Sequence, residues 1–213
     1  MNMYELHLSF IGDDFRVDSL KRVLQAISNA IAEASKNISE AIETKHDEYI
    51  ESIVDDETSV IEELLGAAFV VCQSYITTIV SGLMSLHERA DSDGHKLTST
   101  DGSRRDILGT ESTEVGKSEF TEIQTIDAFA NYFKHHTEWR ANWNKVKGSS
   151  KRTVQIIKSV GAEQGSTGNL RKGAEVLGNP TYNNVDSFID KIVEWRDELL
   201  ILYRKELKSL GVL

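Results

Sequence analysis

Leu64–Leu86, LLGAAFVVCQSYITTIVSGLMSL, carries no charged side chain, and how this stretch is read decides the fold. It is long enough to cross a bilayer, which takes about 20 largely apolar residues. Its flanks argue against that. Asp55, Asp56, Glu57, Glu62 and Glu63 precede it, and His87, Glu88 and Arg89 follow, so no cationic anchor marks one side. Gln73, Ser74, Thr77, Thr78 and Ser81 interrupt the apolar run. A helix that is apolar all round can be buried by protein as well as by lipid. The expectation is therefore a central helix wrapped by other helices, with no membrane association. Cys72, the single cysteine, lies inside this run and reads as a small buried hydrophobe; it leaves no internal disulfide and no cysteine-based zinc site.

Upstream, Val17, Leu20, Leu24, Ile27, Ile31, Ala34, Ile38 and Ile42 recur every three or four positions, and Tyr49 and Ile53 continue the stripe. That is the period of a long amphipathic helix, with Lys21, Lys36, Glu40, Glu43 and Lys45 on its solvated face. Asp and Ser in VDDETS suit a break and a new cap, so a second helix is expected from about Ser59 to about Arg89, antiparallel to the first. At the N-terminus ELHLSF alternates ambiguously between the strand and helix periods.

Downstream, residues 90–121 have little periodicity and are rich in Ser, Thr, Gly and Asp, which predicts a long loop, mobile or functional. A helix follows through Ile123, Ile126, Phe129, Ala130 and Phe133, ending near Trp143 or Lys147–Gly148. A short helix capped by Ser149 or Ser150, another over NLRKGAEVLG, and a final one from about Val185 to Leu210 complete the chain. Together these predict one all-α domain over residues 1–213: a helix bundle built on a long antiparallel hairpin, with shorter C-terminal helices. No internal repeat aligns, which argues against a solenoid.

With a formal net charge of −10 and a pI near 5.1 over 213 residues, broad non-specific nucleic-acid binding is disfavoured, though a local basic pocket is allowed. MNMYELHLSFIGDDF has no basic stretch followed by an apolar one, so a cytoplasmic protein is expected.

The densest chemistry lies in DAFANYFKHHTEWRANW, residues 127–143. On a helix Asn131 and His135 share a face, with Glu138 and Trp139 on the next turn, while His136 pairs with Arg140 and Lys134 with Glu138. An imidazole for proton transfer, a cation for phosphate charge and an amide to orient substrate suffice for metal-independent phosphodiester cleavage. The same composition also suits a packing helix whose aromatics fill the core.

The order Ala130-Asn131-Tyr132-Phe133-Lys134-His135, late in an all-α chain after a long hairpin, resembles the motif region of the HEPN superfamily. That resemblance implies RNA or a nucleotide as ligand, a homodimer that brings two motifs together, and metal-independent endoribonuclease activity of the toxin–antitoxin or phage-defence type. Asn131 matches the family's polar position and His135 its histidine. Ala130 stands where the family has arginine. The chain is then either a degenerate, non-cleaving member, or one whose cation is Lys134, His136 or Arg140. Arg89 and His95 also have a family-like spacing, but in a Gly/Asp loop.

The alternative is a non-enzymatic helical interaction or regulatory module with a protein partner. No cofactor or metal is expected, because no second Glu-x-x-His accompanies His135, His136 and Glu138. The glycines of GAEQGSTGNLRKG lack the phosphate-loop pattern, yet Arg171 and Lys172 form a basic spot that suits phosphate at a helix N-terminus.

Overall fold

The computed structural model describes residues 2–44, 47–139 and 142–213. It is an all-α bundle: α1 (Met3–Ile11), α2 (Phe15–Thr44), α3 (Asp47–Ser92), α4 (Arg104–Gly109), α5 (Glu122–Trp139), a 3-10 turn (Trp143–Lys145), α6 (Ser149–Ser159), α7 (Asn169–Val176) and α8 (Ser187–Ser209). The α2/α3 hairpin is the frame, and α3 is central, touching α1, α2, α4, α5, α7 and α8. Leu65, Ala68, Phe69, Cys72, Ile76, Ile79, Val80 and Leu83 are buried along it, so the uncharged stretch forms the axis of the core. About half of its most apolar window is buried (56%), and Ser74, Thr78 and Ser81 lie on its exposed side. Burial pushes the Cys72 thiol well above its ordinary range.

Two aromatic contacts tie the later helices to this axis. The Phe69 ring stacks between Phe129 of α5 and Phe188 of α8, with centroids 5.4 Å away in both cases. Gly66 and Gly173 let α5 approach: a Cβ on Gly66 would lie 2.1 Å from the Phe133 ring, and one on Gly173 2.8 Å from that of Phe129. Arg196 of α8, 2% exposed, donates to the Tyr75 hydroxyl of α3 at 2.7 Å and pairs with Asp14 at 2.8 Å and Asp197 at 2.7 Å. A buried guanidinium needs such partners to offset desolvation.

Three expectations change. ELHLSF is helical: the Asn2 side chain caps α1 by accepting from the Tyr4 N–H, and Tyr4 and Leu8, one turn apart, are buried. VDDETS is no break, because α3 runs through it; α2 ends at Thr44 and α3 begins at Asp47. Asp55 and Asp56 are exposed and Glu57 accepts from the Asn37 amide of α2, and packing of the helix overrides their modest propensity. Finally, the stretch 90–121 is built rather than featureless. Ser103 caps α4 through the Asp106 N–H, and Glu114 and Thr121 form an antiparallel bridge. The Glu206 carboxylate of α8 accepts from the N–H and hydroxyl of Thr98 and from the Ser99 N–H, while Thr100 bonds the Tyr203 hydroxyl at 2.6 Å.

Candidate functional site

Helix α5 buries Ile123, Ile126, Phe129 and Ala130 and turns its polar residues to two sides. Asn131 and Lys134 face α3. The Gln73 amide donates to Asp127 Oδ1 at 2.8 Å and to Asn131 Oδ1 at 3.0 Å, and its carbonyl accepts from Lys134 Nζ at 2.6 Å. Arg104, from the stretch expected to be a loop, joins through Asp127 Oδ1 at 2.6 Å. One glutamine thus links both motif residues, and an arginine lies a single carboxylate away from Asn131. Ala130 is fully buried, so the position matching the family's arginine faces the core, where that side chain has no room.

His135 lies one turn further along the same face of α5, and its side chain is 45% exposed. Nδ1 lies 3.0 Å from Glu138 Oε1, and the ring stacks on Trp139 with centroids 6.0 Å apart. With a carboxylate as acceptor, Nδ1 carries the proton and Nε2 of the neutral ring is left as a base. Beyond Glu138 and Trp139 the surface hollows. A depression of about 370 Å³ is lined by Glu138, Trp139, Asn142, Lys145 and Lys147, and an adjoining one of about 630 Å³ by Lys145, Lys147 and Lys151. Among the described residues none of these three lysines is in an ion pair. In an acidic protein this is a concentrated cationic surface, and it reaches Glu138 and Trp139, the two residues that the His135 ring contacts.

His136 belongs to a third environment. Its Nδ1 donates to the Phe133 carbonyl at 2.8 Å. The ring lies against Tyr132 and Phe133 in the wall of a cleft of about 840 Å³ between α3, α5, Trp143 and the segment before α7. Asp55, Glu62 and Glu63 of α3 supply the opposite wall, and no lysine or arginine lines it among the described residues.

The motif residues therefore do not share one network: Asn131 and Lys134 are joined through Gln73, His135 pairs with Glu138 and Trp139, and His136 lines the acidic cleft. The expected pairing of Lys134 with Glu138 is replaced by Lys134 with Gln73. Arg140, and with it the His136–Arg140 pair, lies outside the described residues. The basic spot in the first turn of α7 is already satisfied by protein, because the Glu62 carboxylate accepts from the N–H groups of Leu170 and Arg171 and from Arg171 Nε at 2.9–3.2 Å, while Lys172 pairs with Glu175. A carboxylate thus occupies the position expected for phosphate. Arg89 is engaged by Asp93 at 3.8 Å and by the Tyr4 ring. Among the described residues, no three of His, Cys, Asp and Glu gather closely enough to hold a metal ion.

Sequence reasoning missed Gln73, Asp127, Arg104 and the lysines of KVKGSSK. The last had a signal: three lysines within seven residues, directly after the motif. No family model, curated protein or solved structure matches the chain.

Proposed function

We propose that this chain is a HEPN-like, RNA-directed protein whose active surface is the C-terminal end of α5 with the lysines that follow it. The observation that carries this reading is the exposed His135–Glu138 pair beside hollows lined by Lys145, Lys147 and Lys151. Lysines of this kind neutralise phosphates, and an imidazole held in one tautomer serves proton transfer.

In the proposed reaction Nε2 of His135 takes the proton of a ribose hydroxyl. That oxygen attacks the adjacent phosphorus, the bond to the next nucleotide's oxygen breaks, and a proton returns to the departing oxygen. The products are a cyclic phosphate end and a free hydroxyl end. Glu138 keeps the imidazole oriented. Lys145 and Lys147 take the place of the motif arginine, because Ala130 is buried and Lys134 is committed to Gln73. Asn131 is a positioning residue in this scheme.

We assign the protein to a homodimer of the toxin–antitoxin or phage-defence type. The exposed strip of α3 through Ser74, Thr78 and Ser81, with Arg16 bonded to Thr78, is a surface that a second copy can cover. The acidic cleft favours a second reading, a helical interaction module without catalysis.

The test is fluorescence anisotropy with a single-stranded RNA at several salt concentrations. Lys145→Glu with Lys147→Glu is expected to weaken binding at least about tenfold and to flatten the salt dependence, by roughly 0.7 in log–log slope for each phosphate that is no longer neutralised. Unchanged affinity and slope would contradict the reading.

A further inference from the structure

Residues 93–103 run from the end of α3 to α4 across the C-terminal half of α8, and one imidazole of α3 lies beneath them. His87 is half-buried, and its Nε2 meets the buried hydroxyls of Thr100 and Tyr203 at 2.9 Å each; those hydroxyls meet each other at 2.6 Å. Gly102 closes the cluster: its N–H donates to Thr100 Oγ1 at 3.3 Å, and a Cβ there would lie 3.1 Å from the His87 ring. Among the described residues neither hydroxyl has an acceptor outside this cluster. Counting protons fixes the state of the ring. With Nε2 as acceptor both hydroxyls are met, one donating to the nitrogen and the other to its neighbour's oxygen. A proton on Nε2 adds a third donor and removes an acceptor, so one buried hydroxyl has nowhere to donate, which is costly away from water. The seated segment therefore requires a neutral ring with its proton on Nδ1.

The charged groups around the ring are Glu206 of α8, Asp91 of α3, Asp101 of the segment and Asp106 of α4. All favour the imidazolium, yet burial outweighs them and holds His87 below its ordinary range. The segment leads directly into Arg104, whose guanidinium donates to Asp127 Oδ1 at 2.6 Å and to Thr77 Oγ1 at 3.3 Å. Asp127 in turn accepts from the Gln73 and Asn131 amides. The seat on α8 and the polar network of α5 are thus one chain of contacts. The geometry points to a proton-operated strap: protonation of His87 frees residues 100–103 from α8, and Arg104 carries the release to Asp127 of α5. Glu206, which accepts from Thr98 and Ser99, keeps its charge through this step and anchors the near end of the strap. The inference is independent of the proposed RNA surface.

The test is an NMR titration of the whole protein from pH 8 to pH 5, following the His87 ring and the backbone amides. The amides of residues 100–103, Asp127 and Asn131 are expected to shift with the midpoint of the His87 ring. The Asp101 and Gly102 amides are expected to exchange at least about tenfold faster at pH 5.5 than at pH 7.5, after allowance for the intrinsic rate, while Thr98 and Ser99 stay protected. His87→Gln, whose amide oxygen accepts but takes up no proton, is expected to abolish the shared transition. Arg104→Gln is expected to leave it in residues 100–103 and remove it from Asp127. Midpoints that differ between the ring and these amides, the same transition in His87→Gln, protection lost evenly over all helices, or an undiminished Asp127 response in Arg104→Gln would each overturn the inference.

Discussion

His135 and Glu138 face each other across one turn of α5, with Nδ1 3.0 Å from Oε1, and both side chains reach solvent. An exposed pair of this kind adds little to stability. Glu138→Gln should leave the unfolding temperature within about one degree, in line with the small effect of surface substitutions. In the proposed reaction it should slow RNA cleavage by roughly tenfold to a hundredfold, because the imidazole loses the carboxylate that orients it. Matched melting curves and single-turnover rates check both halves.

Gln73 should matter to stability rather than to chemistry. It is 93% buried (7% exposed) and is bonded to Asp127, Asn131 and Lys134. Gln73→Leu leaves those groups short of partners at the α3/α5 interface, at an expected cost of about 1–3 kcal/mol. Denaturant titration measures it; an unchanged midpoint would show that the network is replaced by solvent without loss.

Gly66→Ala tests the close approach of α5 to α3. The new methyl would meet the Phe133 ring at 2.1 Å, so the ring or the helix must move. The expected cost is about 1–3 kcal/mol of overpacking, against the few tenths or more that Ala usually gains over Gly inside a helix. A more stable variant would mean that the ring swings away freely.

Acid should weaken the attachment of residues 98–106 to α8. Burial lowers the His87 imidazole below its ordinary value of 6.5, where its Nε2 meets Thr100 and Tyr203 at 2.9 Å; the same burial pushes the Tyr203 phenol up to about 12. For Glu206, burial would raise the carboxyl, but hydrogen bonds from Ser99 and Thr98 outweigh it and hold it below its ordinary 4.5. Both folded values lie below the unfolded ones, so the unfolded chain binds more protons, and stability present at neutral pH is lost as pH falls. The unfolding temperature should be flat between about pH 6.5 and 8.5, decline below pH 6.5 through His87, and decline again below about 4.5 through Glu206. His87→Gln should remove the first decline only.

Much of this fold was legible because apolar periodicity reports burial directly. The stripe from Val17 to Ile42 and the uncharged run at Leu64–Leu86 became α2 and the core of α3. Boundaries were less legible: whether Asp55–Ser59 ends a helix depends on what packs against its inner face, which local sequence does not carry. The short helix α4 escaped because six residues make no periodic signal, although Ser103 and Asp106 form its cap. At the site, i to i+4 spacing found the His135–Glu138 side of α5 but not the loss of Lys134 to Gln73, a partner 61 residues away. The placement of Arg104 and of Lys145, Lys147 and Lys151 is likewise a product of tertiary structure.

The most direct test of the central claim is incubation of the purified protein with single-stranded RNA in chelator, beside His135→Ala at equal folded fraction. The account predicts fragments with cyclic phosphate ends from the unmodified protein and intact RNA with the variant. Intact RNA in both, or equal cleavage in both, would contradict it.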